Sequence, residues 1–182
     1  PALNVMLNVH PATAERGTLA PLVREAIAQA GIDGSLLMLA LSRDGATRDH
    51  ARVRATLDEL HAMGVRIVLD GLRVGGDHQG LSGGYPGGMV RIERTALGAH
   101  GSTGVPAVGR AVATLARALD LGIVLSGVDT TEQLAFARAA GCDLAQGAEF
   151  GGPVPAEGVT QLLARLGKSG LAQASGREWP LQ

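Results

Sequence analysis

Short apolar runs alternating with helix-length amphipathic stretches limit what this 182-residue chain can fold into. Residues 4–9, 36–41, 65–70, 89–92, 123–125 and 144–146 are too short for helices, and most are nearly continuous in apolar residues, the pattern of strands buried on both faces. Between them, a helix predicted over 19–30 puts Leu19, Leu22, Val23, Ala26 and Ile27 on one face and stops at Gly31. A second, over 50–63, carries Val53, Leu57 and Leu60 ahead of Gly64, and Pro106 opens a third with Ala107, Val108, Ala111, Val112, Leu115 and Leu119 as its stripe. A last one, from Ala156 to Leu166, carries Val159, Leu162 and Leu163. Strand–helix repetition at this spacing implies a parallel sheet of about six strands with right-handed crossovers. Only four residues are aromatic, so the core is built from Ala, Val, Leu and Ile.

Charge excludes some partners. Sixteen Lys and Arg stand against 17 acids, a balance that gives no overall field for nucleic acid or an anionic membrane. No apolar run approaches the ~20 residues of a membrane helix and the N-terminus has no signal pattern, so a cytoplasmic chain is expected. The single cysteine, Cys142, forms no internal disulfide and is expected as a small core residue. The histidines at 10, 50, 61, 78 and 100 show no metal-ligand pair at i, i+4 and are expected in solvent. Residues 71–88 hold eight glycines and no apolar period, which predicts a loop. The segment 98–104, GAHGSTG, precedes a helix and is expected as an ordinary connecting loop.

Chemistry concentrates in Ile123–Pro155. Two strand ends flank a helix whose start, Asp129-Thr130-Thr131-Glu132-Gln133, offers capping oxygens, with Asp129 a plausible N-cap. The two strands bring Ser126, Asp129 and Gln146 near one rim, and in a barrel of parallel strands that rim carries the chemistry.

The same stretch, with LSGVDTTEQ, GCDLAQGAEF and GGPVP, resembles the C-terminal signature of EAL domains, the cyclic-di-GMP phosphodiesterases, written AEGVET..Q......GCD..QGY.F..P.P. Four further segments are similar in the family's order: VMLNVH at 5–10 to VNLS, LMLALSR at 37–43 to LELEITE, MGVRIVLDGLRVGGDHQGL at 63–81 to LG..IALDDFGTGYSSL, and VRIERTAL at 90–97 to LKIDRSF. The resemblance spans residues 3–166 and implies a TIM-barrel-like (β/α) barrel. A full barrel takes ~250 residues and eight strands, so an incomplete one of about six is expected over 1–166, followed by a polar tail over 167–182. The EAL tripeptide and its downstream arginine have no counterpart after Pro1, and upstream sequence, a partner or a rearrangement is expected to cover the gap.

The reaction the resemblance implies is phosphodiester hydrolysis by water activated on two divalent cations, Mg²⁺ or Mn²⁺, which several carboxylates must surround. Position by position, Asn8 matches the ligand asparagine and Asp70 the first aspartate of DDFG, whose second aspartate is Gly71. Ala40 stands where a ligand glutamate belongs, Arg43 at a later glutamate, and Ser126 at the first glutamate of EGVE. Glu93 replaces the aspartate of KID, Asp129 the final glutamate of EGVE, and Arg91 the lysine, which a guanidinium does not match as a compact donor. Gln146 and Pro153 are retained.

The expectation is therefore a catalytically inactive EAL-like domain, with no catalytic residue, metal or cofactor assigned, acting as a regulatory or protein-interaction module in cyclic-di-GMP-type signalling. Its vestigial ligand pocket comprises Asn8, Asp70, Arg91, Glu93, Asp129, Gln146 and Pro153. The alternative is a receptor that binds cyclic-di-GMP without cleaving it, with Arg43, Arg91, Gln146 and Pro153 against phosphate or guanine. A protein partner or upstream sensory domain is expected, and a homodimer, because open barrels expose strand edges.

Overall fold

The computed structural model describes residues 3–42, 50–70, 88–93 and 105–164. The glycine-rich run from 71 to 87, Arg43, Gly71, the 98–104 loop and the tail from 165 lie outside these residues. Six strands, β1 (Val5–Val9), β2 (Leu37–Ser42), β3 (Arg66–Asp70), β4 (Met89–Glu93), β5 (Gly122–Ser126) and β6 (Leu144–Gln146), form one sheet in chain order. Every neighbouring pair is parallel. The sheet curls into an incomplete TIM-barrel-like half-barrel with helices outside it.

Those helices are α1 (Pro11–Glu15), α2 (Leu19–Ala30), α3 (His50–Ala62), α4 (Val105–Ala118), α5 (Thr131–Ala140) and α6 over 156–164, with 3-10 turns at Gly34–Leu36 and Ala148–Phe150. Alternation along each strand separates two apolar layers. Leu39, Leu41, Ile67, Leu69, Val90, Ile92, Ile123 and Leu125 face outward onto Leu19, Val23, Val53, Leu57, Leu60, Ala113, Ala116 and Ala137. Met38, Ala40, Val68, Met89 and Val124 form a separate interior cluster with Met6 and Leu144. With both faces covered, β2 is buried from Leu37 to Leu41, and so its sequence is apolar without alternation. The α3–β3 joint is compact because Gly64 takes φ +81, letting Val65 donate back to the Leu60 carbonyl at 3.1 Å.

β1 stops before His10-Pro11, and Pro11 opens α1, where a residue without an N–H costs nothing, while exposed His10 caps that helix by accepting from Ala12 N–H at 3.3 Å. One local expectation changes. At α5 the N-cap is Thr130, not Asp129. Gln133 N–H donates to Thr130 Oγ1 at 3.4 Å while Gln133 Oε1 accepts from Thr130 N–H at 3.1 Å, a reciprocal capping box. Thr130→Ala is expected to cost about 1 kcal/mol, a fall of roughly 2–4 °C in Tm for a domain of this size, read by thermal denaturation.

Candidate functional site

The site is assembled from the inward-facing ends of the strands. Register places Ser42 beside Asp70, Asp70 beside Arg91, Glu93 beside Ser126 and Ser126 beside Gln146. Arg91 lies one inward step below Glu93, so its guanidinium extends into the interior rather than over the rim. Its Nε donates to Asp70 Oδ1 at 3.0 Å and its Nη2 to Asp70 Oδ2, a bidentate charge-assisted pair. Nη2 also donates to Asn8 Oδ1 at 2.8 Å, and Nη1 lies 3.7 Å from Met6 Sδ. The Arg91 side chain is 13% exposed and that of Asp70 29%. Hydrogen bonding to Asp70 pushes the arginine pKa further up, against the opposing effect of burial, and the charges of Asp70 and Glu93 add to the rise.

This contact also reports the curl of the sheet. β1 and β4 are three strands apart, roughly 14 Å in a flat sheet, so Arg91 reaches Asn8 only across the interior. There a cavity of about 320 Å³ is lined by Met6, Asn8, Arg91, Val124, Leu144, Ala145 and Gln146. Its size is at the lower end of ligand clefts. Because β1 and β6 both border it, the cavity is the barrel interior seen through the opening between the two edge strands.

Of the predicted pocket, Asn8, Arg91 and Gln146 line the cavity and Asp70 stands behind Arg91. Glu93, Asp129 and Pro153 are exposed. Asp129 is tied to the loop after β6, its Oδ1 accepting from Ala148 N–H at 2.9 Å, and Thr131 Oγ1 donates to Glu149 Oε1 at 2.9 Å beside it. Ser126 Oγ donates to the Ile92 carbonyl at 3.3 Å. Sequence reasoning missed Met6, Val124, Leu144 and Ala145; three of these sit two residues from a predicted site residue or opposite one in register, a signal that inward alternation carries. It also missed Arg66, whose Nη2 donates to Asn4 Oδ1 at 2.7 Å and to the Ser35 carbonyl at 3.1 Å at the other end of β3. Burial pushes the Arg66 pKa down. Half-buried Cys142 has its thiol pushed up to about 11, by burial first and by Asp143 second, and stays protonated at neutral pH.

The sequence profile of the EAL domain matches residues 1–153. The chain belongs to the EAL domain family. The bifunctional diguanylate cyclase/cyclic di-GMP phosphodiesterase MucR of Pseudomonas aeruginosa is 32% identical over 165 residues, 90% of this chain and 24% of that protein. The solved structure of the PaMucR phosphodiesterase in complex with c-di-GMP matches at TM-score 0.75, covering 88% of this chain and 70% of that one. The EAL domain of Mycobacterium smegmatis DcpA, 26% identical, matches at TM-score 0.79 over 89% of this chain and 73% of that one. This EAL domain spans only 20–24% of the length of curated relatives such as MucR. Among its described residues no helix is long and apolar enough to cross a membrane.

Proposed function

We propose that this EAL domain does not hydrolyse cyclic-di-GMP and works as a regulatory or protein-interaction module in cyclic-di-GMP-type signalling in the cytoplasm. One observation carries the reading: both carboxylate oxygens of Asp70 and the side-chain oxygen of Asn8 accept hydrogen bonds from Arg91. The divalent cations of the family's reaction need those oxygens, and they would stand beside a permanent positive charge. A doubly charged ion ~4 Å from a guanidinium is repelled by about 8 kcal/mol at an effective dielectric of 20. Ala40 and Ser126 supply no carboxylate, and the described residues contain no group of three or more His, Cys, Asp or Glu able to hold a metal. The residues present do not fit the ions, and the reading has no metal-assisted step.

A module of this kind works through its surface. Among the described residues β1 has a neighbouring strand on one side only, with Val5 and Leu7 on it and Leu3 just before it exposed, while exposed Phe150, Val154 and Leu162 follow β6. A protein partner, an upstream sensory domain or a second copy of the chain would cover such edges.

The second reading, a cyclic-di-GMP receptor, is favoured by the cavity, where Gln146 and Asn8 face apolar Val124 and Leu144. Calorimetric titration with cyclic-di-GMP in Mg²⁺, Mn²⁺ or EDTA, with the same samples assayed for linearised product, separates the readings. The module predicts neither heat nor product at about 100 μM ligand, a level that half-fills a site of roughly −5.5 kcal/mol. Saturable heat without product moves the assignment to the receptor. Metal-dependent product overturns both.

A further inference from the structure

We propose that Met6 is an oxidation site for hydrogen peroxide and that Arg91 Nη1 holds the oxygen of its sulfoxide. The four methionines of the chain stand in different surroundings. Met38 and Met89 are buried in the interior cluster, at 5% and 6% exposure, and Met63 packs half-buried against the outer layer. Met6 lines the open cavity, half-buried on the inward side of β1, so a small peroxide can reach its sulfur. That Sδ stands 3.7 Å from Arg91 Nη1, and among the described residues it is the only acceptor that Nη1 has. A thioether accepts weakly. A permanently charged donor therefore points at a position where an oxygen would bond better than the sulfur does.

The step is a two-electron oxidation. The sulfur lone pair attacks one peroxide oxygen, an S–O bond forms as the O–O bond breaks, and the leaving hydroxide takes the proton of the transferred oxygen and departs as water. An N–H···O bond spans about 2.9 Å, so an oxygen bent from the sulfur toward the nitrogen fits the 3.7 Å between them without moving either strand. A sulfoxide ordinarily disrupts apolar packing, and here a charge-assisted hydrogen bond would offset that loss. Oxidation would thus strengthen the tie between β4 and the edge strand β1 and use up the one Arg91 nitrogen that lacks an oxygen acceptor among the described residues. The chemistry is the same whether the domain acts as a module or as a receptor.

The test is dilute hydrogen peroxide on the folded chain, read by peptide mass spectrometry and thermal denaturation of wild type, Arg91→Leu and Met6→Gln. Trypsin puts each methionine of the wild type on its own peptide, 1–16, 25–43, 55–66 and 74–91. Met6 is expected to gain an oxygen at least about fivefold faster than each of the other three, as its access to the cavity dictates. With one oxygen added per chain, wild type is expected to lose less than about 2 °C in Tm and Arg91→Leu roughly 5 °C more, the effect of a charge-assisted hydrogen bond in a domain of this length. Met6→Gln keeps the test open where Arg91→Leu does not fold. Its amide oxygen stands in for the sulfoxide oxygen, and its Tm is expected within about 2 °C of wild type, whereas an unpartnered polar group would cost more than about 5 °C. Another methionine oxidised first, equal losses in oxidised wild type and oxidised Arg91→Leu, or the larger fall in Met6→Gln would each overturn the proposal.

Discussion

Asp70→Ala is expected to destabilise the domain by about 2–3 kcal/mol, lowering Tm by roughly 5–10 °C. Breaking a buried pair by removing one partner costs about 3–5 kcal/mol, because the remaining charge keeps its desolvation penalty and loses its compensation. The figure here is set lower because Asp70 retains 29% of its side-chain exposure, which lets water reach the arginine. Arg91, only 13% exposed, would keep Asn8 and Met6 as side-chain contacts and only the more distant charge of exposed Glu93 as compensation. A carboxylate can escape such a position by taking a proton, whereas a guanidinium cannot shed one. Arg91→Met in the Asp70→Ala background should therefore recover most of the loss, since apolar replacement of both partners removes the buried charge altogether. Chemical denaturation of the four proteins of this cycle is the measurement. Loss below 0.5 kcal/mol for Asp70→Ala, or no recovery in the double variant, would mean that the pair carries no such charge balance.

The strands were legible because β2, β3 and β5 are covered on both faces, which leaves runs with no polar residue in their buried part, such as Leu37–Leu41 and Ile123–Leu125. Helix ends were legible where glycine must supply a left-handed residue, as at Gly64. The start of α5 was legible only as a cluster of capping residues. Asp129 and Thr130 both suit an N-cap, and the choice falls to Thr130 because Asp129 is taken by Ala148 N–H, 19 residues later. Arg91 shows the same limit on a larger scale. Its sequence neighbours, Glu93 among them, suggest a cation on the rim, and alternation alone turns it inward. That it meets Asn8, 83 residues away, depends on the curvature of a sheet with two strands in between, which no local pattern encodes. The resemblance matched Asn8 and Asp70 to family ligand positions one by one; that Arg91, standing where the family has lysine, joins them is visible only in the structure.

Gly147→Ala is expected to be at least as damaging, at about 3 kcal/mol or more, for a reason that lies in the backbone. Gly147 follows β6 within the GCDLAQGAEF segment. A Cβ there would stand 2.1 Å from the Val128 carbonyl oxygen, 2.4 Å from its carbon and 2.5 Å from its nitrogen. All three are main-chain atoms, so no side chain can rotate away, and glycine marks a close approach of two backbones. Val128 is fully buried and holds both ends of this junction, donating to the Gln146 carbonyl at 3.0 Å and accepting from Glu149 N–H at 3.1 Å. Moving it aside sacrifices two backbone hydrogen bonds, each worth roughly 0.5–1.5 kcal/mol, and lifts a valine from the core, worth roughly 1.5–3. The damage would spread to the site, because Gln146 lines the cavity and Asp129 is bonded to Ala148, on either side of the substituted residue. Gly152→Ala is the control: a Cβ there meets nothing within 4 Å, and a change under 0.5 kcal/mol is expected. Equal unfolding midpoints for the two variants would show that the β6 terminus can draw away from Val128 at no cost. A large difference would establish that the glycine of this motif is required by the packing of β6 against the β5–α5 loop, whatever the chemistry at the rim.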